Sequence, residues 1–223
     1  MCKLSMGQLG GLALIVGPVM AFIMFLLQPG GAIIDTAAPS DPIAAINALA
    51  DNRVMTNITV PLVILGIMIM VFGLSALLVS TRRAGTGDAL SRGGLAFIIV
   101  GMLTWIWAQM MALGIAVGPD LATEEQFTGI FVARVAATVG GGMAVSLGFI
   151  LFVLALPSSG SLDLWLNRLV ALLSLISLAS FVTAASVWGD LDQGLQLARS
   201  LYIFWVLWTV YRGVRLLREE AGA

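Results

Sequence analysis

The sequence contains no histidine and a single cysteine, Cys2. Without histidine, the chain by itself offers no imidazole ligand for haem, copper, iron or zinc and no imidazole for a proton relay. One cysteine forms neither an internal disulfide bond nor a cluster site. We therefore expect neither a metal site nor a cofactor.

Charge is also scarce, since 10% of the residues are charged and 60% are apolar. An average soluble domain has about a quarter of its residues charged, so this composition excludes a water-soluble globular protein. The formal net charge of −1 excludes a bulk electrostatic attraction to nucleic acid. The chain of 223 residues has room for about six or seven membrane spans and predicts a single transmembrane domain over residues 1–223.

Uncharged stretches long enough to cross about 30 Å of hydrocarbon predict the spans. The expected fold is an all-α, six-helix transmembrane bundle. The sixth span is the weakest, because only twelve uncharged residues separate Arg199 from Arg212, and both arginines must extend toward the lipid headgroups. The predicted spans cover approximately residues 7–27, 54–80, 93–117, 130–156, 166–188 and 194–217.

The distribution of basic residues predicts the orientation, because short cytoplasmic loops are enriched in lysine and arginine. Six spans place both chain ends on one side of the membrane. That side carries eight of the eleven basic residues, which are Lys3, Arg82, Arg83, Arg92, Arg168, Arg212, Arg215 and Arg218. We therefore expect a multi-pass protein of the cell (inner) membrane with both termini in the cytoplasm.

The longest connection, residues 28–53, lies on the expected outer side. Its first part carries Pro-Gly-Gly and Ala-Ala-Pro, which are typical of irregular backbone. Ser40 is the expected N-cap of a short amphipathic helix, with Asp41 and Pro42 in its first turn. This helix either covers an outer cavity as a lid or rests at the headgroup level, and the sequence favours the second interpretation.

Three polar residues inside or near the spans form a candidate polar site. Gln109 falls close to the centre of the third span, Arg134 begins the fourth, and Arg199 lies in the sixth. A polar group at that depth needs a partner or a wet cavity. Together they would suit anion binding or gating in an outward-facing cavity. The alternatives are an interhelical hydrogen bond for Gln109 and a headgroup position for the arginines.

Four tryptophans fall near the expected bilayer centre instead of at its interfaces: Trp105, Trp107, Trp205 and Trp208. Such rings either pack between helices or form an apolar groove for a lipid, quinone or carotenoid.

Small residues on the fourth span, at Ala133, Ala137 and Gly141, are typical of close helix packing. The first hypothesis is therefore a non-catalytic membrane subunit or scaffold that contacts membrane lipids and associates with itself or with other membrane subunits. The alternative is a transporter or channel for a small solute or ion, in which two three-span halves on either side of Pro119 form an inverted repeat. An enzyme is not expected, because no histidine or intramembrane lysine is available to activate a serine.

Overall fold

The computed structural model describes residues 5–81, 86–118, 124–158, 160–186 and 191–221. Cys2, Lys3, Arg82, Arg83 and Pro119, used in the sequence analysis, lie outside these residues. Within the described residues every regular element is an α-helix, so the prediction of an all-α fold is confirmed. The helices are α1 (Met6–Leu26), α2 (Pro42–Asp51), α3 (Arg53–Ser80), α4 (Thr86–Val117), α5 (Glu124–Ala155), α6 (Ser161–Ser186) and α7 (Leu191–Ala221).

Five of these helices, α1, α3, α4, α5 and α6, are long and apolar enough to cross a membrane. This supports the prediction of a membrane protein. The remaining long helix, α7, has 31 residues and more charge, and it packs between α1 and α6 as part of the same bundle. Each predicted span overlaps one long helix, and the short predicted helix is α2.

Hydrogen bonds from side chains define where two helices begin. Ser5 Oγ accepts the Gln8 backbone N–H at 3.0 Å, and Gln8 Oε1 accepts the Ser5 N–H at 3.0 Å, which closes a capping box at α1. At α2 the cap is Asp41, whose carboxylate accepts the Ala44 N–H at 3.0 Å. The prediction of Ser40 as N-cap is thus wrong by one residue, because Asp41 accepts the Ala44 N–H whereas the Ser40 hydroxyl donates to Asp192.

The six long helices form a closed ring in which each packs against its neighbours in the chain and α7 packs against α1. Short connections make successive helices antiparallel. As a result, the beginning of α1 meets the end of α7, where Gly11 lies against Gly213 and Leu217. We call this the terminal end of the bundle. The opposite end, where α2 packs on α3, α4 and α5, is the α2 end.

Helices α1 and α3 touch through their backbones at two glycines. A Cβ atom on Gly17 would lie 2.5 Å from Met70 N and 2.8 Å from Gly66 O. A Cβ atom on Gly66 would lie 2.6 Å from Ala21 N. Only glycine allows this approach, and close backbone packing is a main source of helix association in lipid.

Helices α4 and α5 repeat the same arrangement. Gly101 packs on Gly141 O and Val145 N, as Gly17 packs on Gly66 O and Met70 N. Each of the four helices carries a second glycine seven residues from the first, at Gly10, Gly73, Gly94 and Gly148. This register favours two copies of one helical hairpin, α1/α3 and α4/α5, in the same orientation, over an inverted repeat of two three-helix halves.

An aromatic layer fills the middle of the ring. The Trp205 ring, 1% exposed, stacks on Phe149 with 4.9 Å between centroids. Trp208 packs edge-on against Phe149 at 6.0 Å and Phe152 at 6.4 Å. This layer separates the interior at the α2 end from the terminal end.

A buried ionic cluster joins α6 to α7 at the terminal end. Asp163, 1% exposed, forms a salt bridge with Arg215, lies 3.7 Å from Arg212 Nη1 and accepts a hydrogen bond from Tyr211 Oη at 2.5 Å. Asn167 Oδ1 accepts a hydrogen bond from Arg212 Nη2 at 2.9 Å. At this end of α7, Arg212 and Arg215 are thus balanced by Asp163 and, for Arg215, by Glu219, which lets a helix of low overall apolarity pack there.

Candidate functional site

A cavity of about 110 Å³ lies inside the ring at the α2 end. It is lined by all six long helices, by α2 and by residues of the connection 28–39. A cavity of about 150 Å³ holds one benzene molecule, so this one has room for a few water molecules or a small organic molecule. All three residues of the predicted polar site, Gln109, Arg134 and Arg199, line it.

Two guanidinium groups reach this cavity from facing helices. Arg134 comes from α5 and Arg199 from α7, and they are close enough to repel each other electrostatically. Each packs over an aromatic ring, Arg134 over Phe131 at 5.9 Å and Arg199 over Phe25 at 5.8 Å. Such cation–π contacts hold the side chains in place without neutralising their charge.

Neither arginine has a direct counter-ion among the side chains that the structure describes. The salt bridges there all lie elsewhere, in the pair Arg92–Asp88 and in the cluster around Asp163. Asp192 acts electrostatically on Arg199, but its carboxylate accepts hydrogen bonds from Ser40 N at 2.9 Å and Ser40 Oγ at 2.5 Å. Within the described part of the chain, two positive charges therefore face the cavity without an ion pair. This arrangement is unfavourable in an apolar interior until an anion or water solvates the charges.

Two glutamine side chains add unsatisfied amide groups to the same cavity. Gln28 is 1% exposed, and neither its Oε1 nor its Nε2 has a hydrogen-bond partner among the described residues. Gln109 is 7% exposed, and its Oε1 has no partner there either. A buried amide left without partners costs about 1–3 kcal/mol, so these groups are expected to bond to something inside the cavity.

The connection between α1 and α2 covers the cavity at the α2 end. After α1 the chain turns at Gly30, whose φ of 73° favours glycine, and Gly30 then packs against Ala45 of α2. The two hydrogen bonds from Ser40 to Asp192 fasten the far side of this connection to the start of α7. Helix α2 contributes Ala45 to the lining of the cavity, and its interpretation as a lid stays a prediction.

Aromatic side chains form the floor of the cavity. Trp105 Nε1 donates a hydrogen bond to Thr138 O at 3.0 Å, and Trp205 Nε1 donates to Ser174 Oγ at 2.9 Å. The Tyr202 ring packs edge-on against both indoles, at 5.9 Å from Trp105 and 5.8 Å from Trp205. Polar groups are thus concentrated above an apolar floor.

The four central tryptophans do not share one groove. Trp105 and Trp205 line the cavity, whereas Trp208 is buried in the aromatic layer with its Nε1 donating to Asn167 Oδ1 at 3.1 Å. Trp107 is 59% exposed on the outer surface of α4. The predicted set therefore divides between a cavity wall, the interior packing and the surface that faces away from the bundle.

Sequence reasoning missed two residues of the site, Gln28 and Tyr202. Gln28 ends the first apolar run directly before Pro29, and a polar residue at that point resembles an ordinary loop residue. Tyr202 lies three residues after Arg199, and this spacing places both on one helix face. That spacing was the available signal for Tyr202.

Comparisons with protein-family models, with curated proteins and with solved structures find no match. Within the part of the chain that the structure describes, no group of three or more side chains is placed to hold a metal ion. The function is therefore argued from the cavity and its polar groups.

Proposed function

We propose that this chain is a six-span integral membrane protein that binds a small anion in the cavity between Arg134 and Arg199 and carries it across the cell membrane. One observation carries the proposal: two guanidinium groups that have no direct counter-ion among the described side chains face one cavity inside an apolar helical bundle. An anion would neutralise the charge that the described carboxylates leave unpaired.

Helix α7 serves as the sixth span in this proposal. Its 31 residues extend over about 46 Å, more than the roughly 30 Å of hydrocarbon. Asp163 and Glu219 together balance the charges of Arg212 and Arg215, so these charges are paired within the protein. With six spans, the bias of basic residues places both chain ends in the cytoplasm, and the α2 end with its cavity then faces outward.

A carrier fits the geometry better than a channel. The polar lining of the cavity stops at the floor of Trp105, Tyr202 and Trp205, and the stacked Phe149 lies beyond it. A channel needs a polar path through the whole membrane. A site that is closed on one side instead corresponds to one state of a protein that exposes its site alternately to the two sides.

Purified protein in detergent provides the first test, through the shift of its thermal unfolding temperature with added salts. At one fixed chloride concentration, added sodium propanoate is expected to raise the temperature, whereas replacing the sodium ions of the chloride background by propylammonium ions is not. Arg134→Gln and Arg199→Gln are each expected to weaken anion binding about ten- to hundredfold, since each removes one charged hydrogen-bond donor. Arg92→Gln is the matched control, because the Arg92 side chain is exposed and pairs with Asp88 away from the cavity, and this variant should bind as the wild type does.

Transport is tested separately with the same variants reconstituted in liposomes. Uptake of labelled propanoate should be faster than in protein-free liposomes and should fall in Arg134→Gln but not in Arg92→Gln. Equal stabilisation by the anion and the cation, or anion binding that survives both cavity variants, would contradict the proposed site. Binding without uptake would limit the function to anion binding.

A scaffold or subunit role is a second candidate, supported by the surface of α5. Gly129, Ala133, Ala136 and Gly140 are exposed at helical spacing, and the space beside Gly129 and Gly140 is open. Such a surface suits close approach of another transmembrane helix, from a second copy or from another subunit. The protein would then run as an oligomer in mild detergent, and Gly140→Leu would shift it to a monomer without changing anion binding.

A further inference from the structure

The amide of Gln28 constrains the chemistry of the ligand beyond its charge. Both ends of this amide lack a partner among the described residues, and the side chain is almost completely buried in the wall of the cavity. Whichever way the amide is turned, its oxygen requires a hydrogen-bond donor and its nitrogen requires an acceptor. Gln109 Oε1 is a second acceptor to which no described residue donates a hydrogen bond.

A simple anion satisfies only half of these groups. Chloride, acetate or propanoate accepts hydrogen bonds from guanidinium and amide N–H groups but donates none. The two amide oxygens would then depend on water molecules held beside the anion. A ligand that carries an anionic group together with at least one hydrogen-bond donor satisfies them directly, without the cost of ordering water.

The positive charge of the cavity favours some hydrogen-bond donors of the ligand over others. An ammonium group would add a positive charge near Arg134 and Arg199, whose guanidinium groups already repel each other. Asp192, the acidic residue that acts on Arg199, is already bonded to Ser40. A neutral hydroxyl group donates a hydrogen bond without this repulsion, so a hydroxy acid fits better than an amino acid.

The size of the cavity limits the carbon skeleton. About 110 Å³ is less than the roughly 150 Å³ that holds one benzene molecule. The apolar floor leaves space for a short alkyl group and too little for a lipid chain. From the amides, the charges and the volume, we infer that the ligand of this site is a soluble short-chain hydroxycarboxylate, an inference that rests on the proposed anion-binding function.

Matched acids that differ by one hydroxyl group test this inference. Affinities of the purified full chain are measured by titration calorimetry for sodium lactate against propanoate, and for 2-hydroxybutanoate against butanoate. The hydroxy acid of each pair is expected to bind about tenfold more tightly, the effect of one satisfied hydrogen bond. Gln28→Leu removes an amide donor and an amide acceptor together, so it should lower the affinity for both acids, lower that for lactate more, and remove the preference for lactate. Gln196→Leu, at an exposed position of α7, should keep the preference.

The outcomes separate this inference from the proposed function. Equal affinities within each pair, or a preference that persists in Gln28→Leu, overturn the hydroxy-acid assignment while leaving anion binding in place. The same conclusion follows if only phosphate, chloride or phosphatidylglycerol micelles bind. If Gln28→Leu does not fold, Gln109→Leu is expected to reduce the preference, and an unchanged preference there overturns the inference. Binding of no anion at all overturns both proposals.

Discussion

Replacing Gly101 by alanine tests whether α4 and α5 touch through their backbones. The new Cβ atom would lie 2.5 Å from Gly141 O, 2.5 Å from Val145 Cγ2 and 2.8 Å from Val145 N. Ordinary contacts begin at 3.4 Å, so the two helices would have to separate by about 1 Å over this stretch. Overpacking of this kind costs about 1–3 kcal/mol, and backbone atoms cannot relieve it by changing rotamer.

The control is Gly114→Ala on the same helix. No atom lies within 4 Å of the position that its Cβ would take, and the residue is exposed. Alanine in a helix is favoured over glycine by about 0.5–1 kcal/mol, so this variant should be slightly more stable than the wild type. The two substitutions therefore have opposite expected signs although their chemistry is identical.

The free energies of unfolding of both variants are measured by circular dichroism in mixed micelles with increasing dodecyl sulfate. Gly17→Ala, the equivalent substitution in the α1/α3 hairpin, should destabilise by a similar amount as Gly101→Ala because its backbone contacts are the same. Wild-type stability of Gly101→Ala, or equal destabilisation by Gly114→Ala, would refute the backbone contact. A large difference between Gly17→Ala and Gly101→Ala would refute the equivalence of the two hairpins.

Three further substitutions test the charges and the lid. In the same assay without ligand, Arg134→Gln should raise the free energy of unfolding by about 1 kcal/mol, because it removes one of two repelling charges from an apolar interior. A loss of stability would show that Arg134 is already solvated or paired. Asp163→Asn should lower the free energy of unfolding by about 3–5 kcal/mol, since it leaves the buried Arg212 without its counter-ion. Wild-type stability of this variant would contradict a structural role for the ionic cluster around Asp163. Ser40→Ala should weaken the attachment of the connection between α1 and α2 to α7 by about 1 kcal/mol and speed ligand release about fivefold in stopped-flow measurements. An unchanged rate would mean that this connection does not limit release.

The features that depend on local composition could be predicted before the structure was known. Long uncharged runs predict the apolar helices, because an unbroken helix satisfies every backbone hydrogen bond without water. The turn signals of the segment before Pro42 likewise predict the short helix α2, with an error of one residue at its cap. Gln109, Arg134 and Arg199 stood out because polar side chains at apolar depth are costly, and all three line the same cavity.

Which of the charged and amide side chains are paired depends on how the helices pack against one another. Asp163 neutralises Arg212 across two helices, whereas Arg134 has no such partner among the described side chains. Ser40 bonds to Asp192, a residue 152 positions away, and Gln28 is buried although the chain around it has the composition of a loop. The physical reason is that residue spacing along one helix specifies a face but not the helix that packs against it. Because the pairing of charges and amides depends on that packing, the set of polar groups that faces the cavity is known only from the assembled ring of helices.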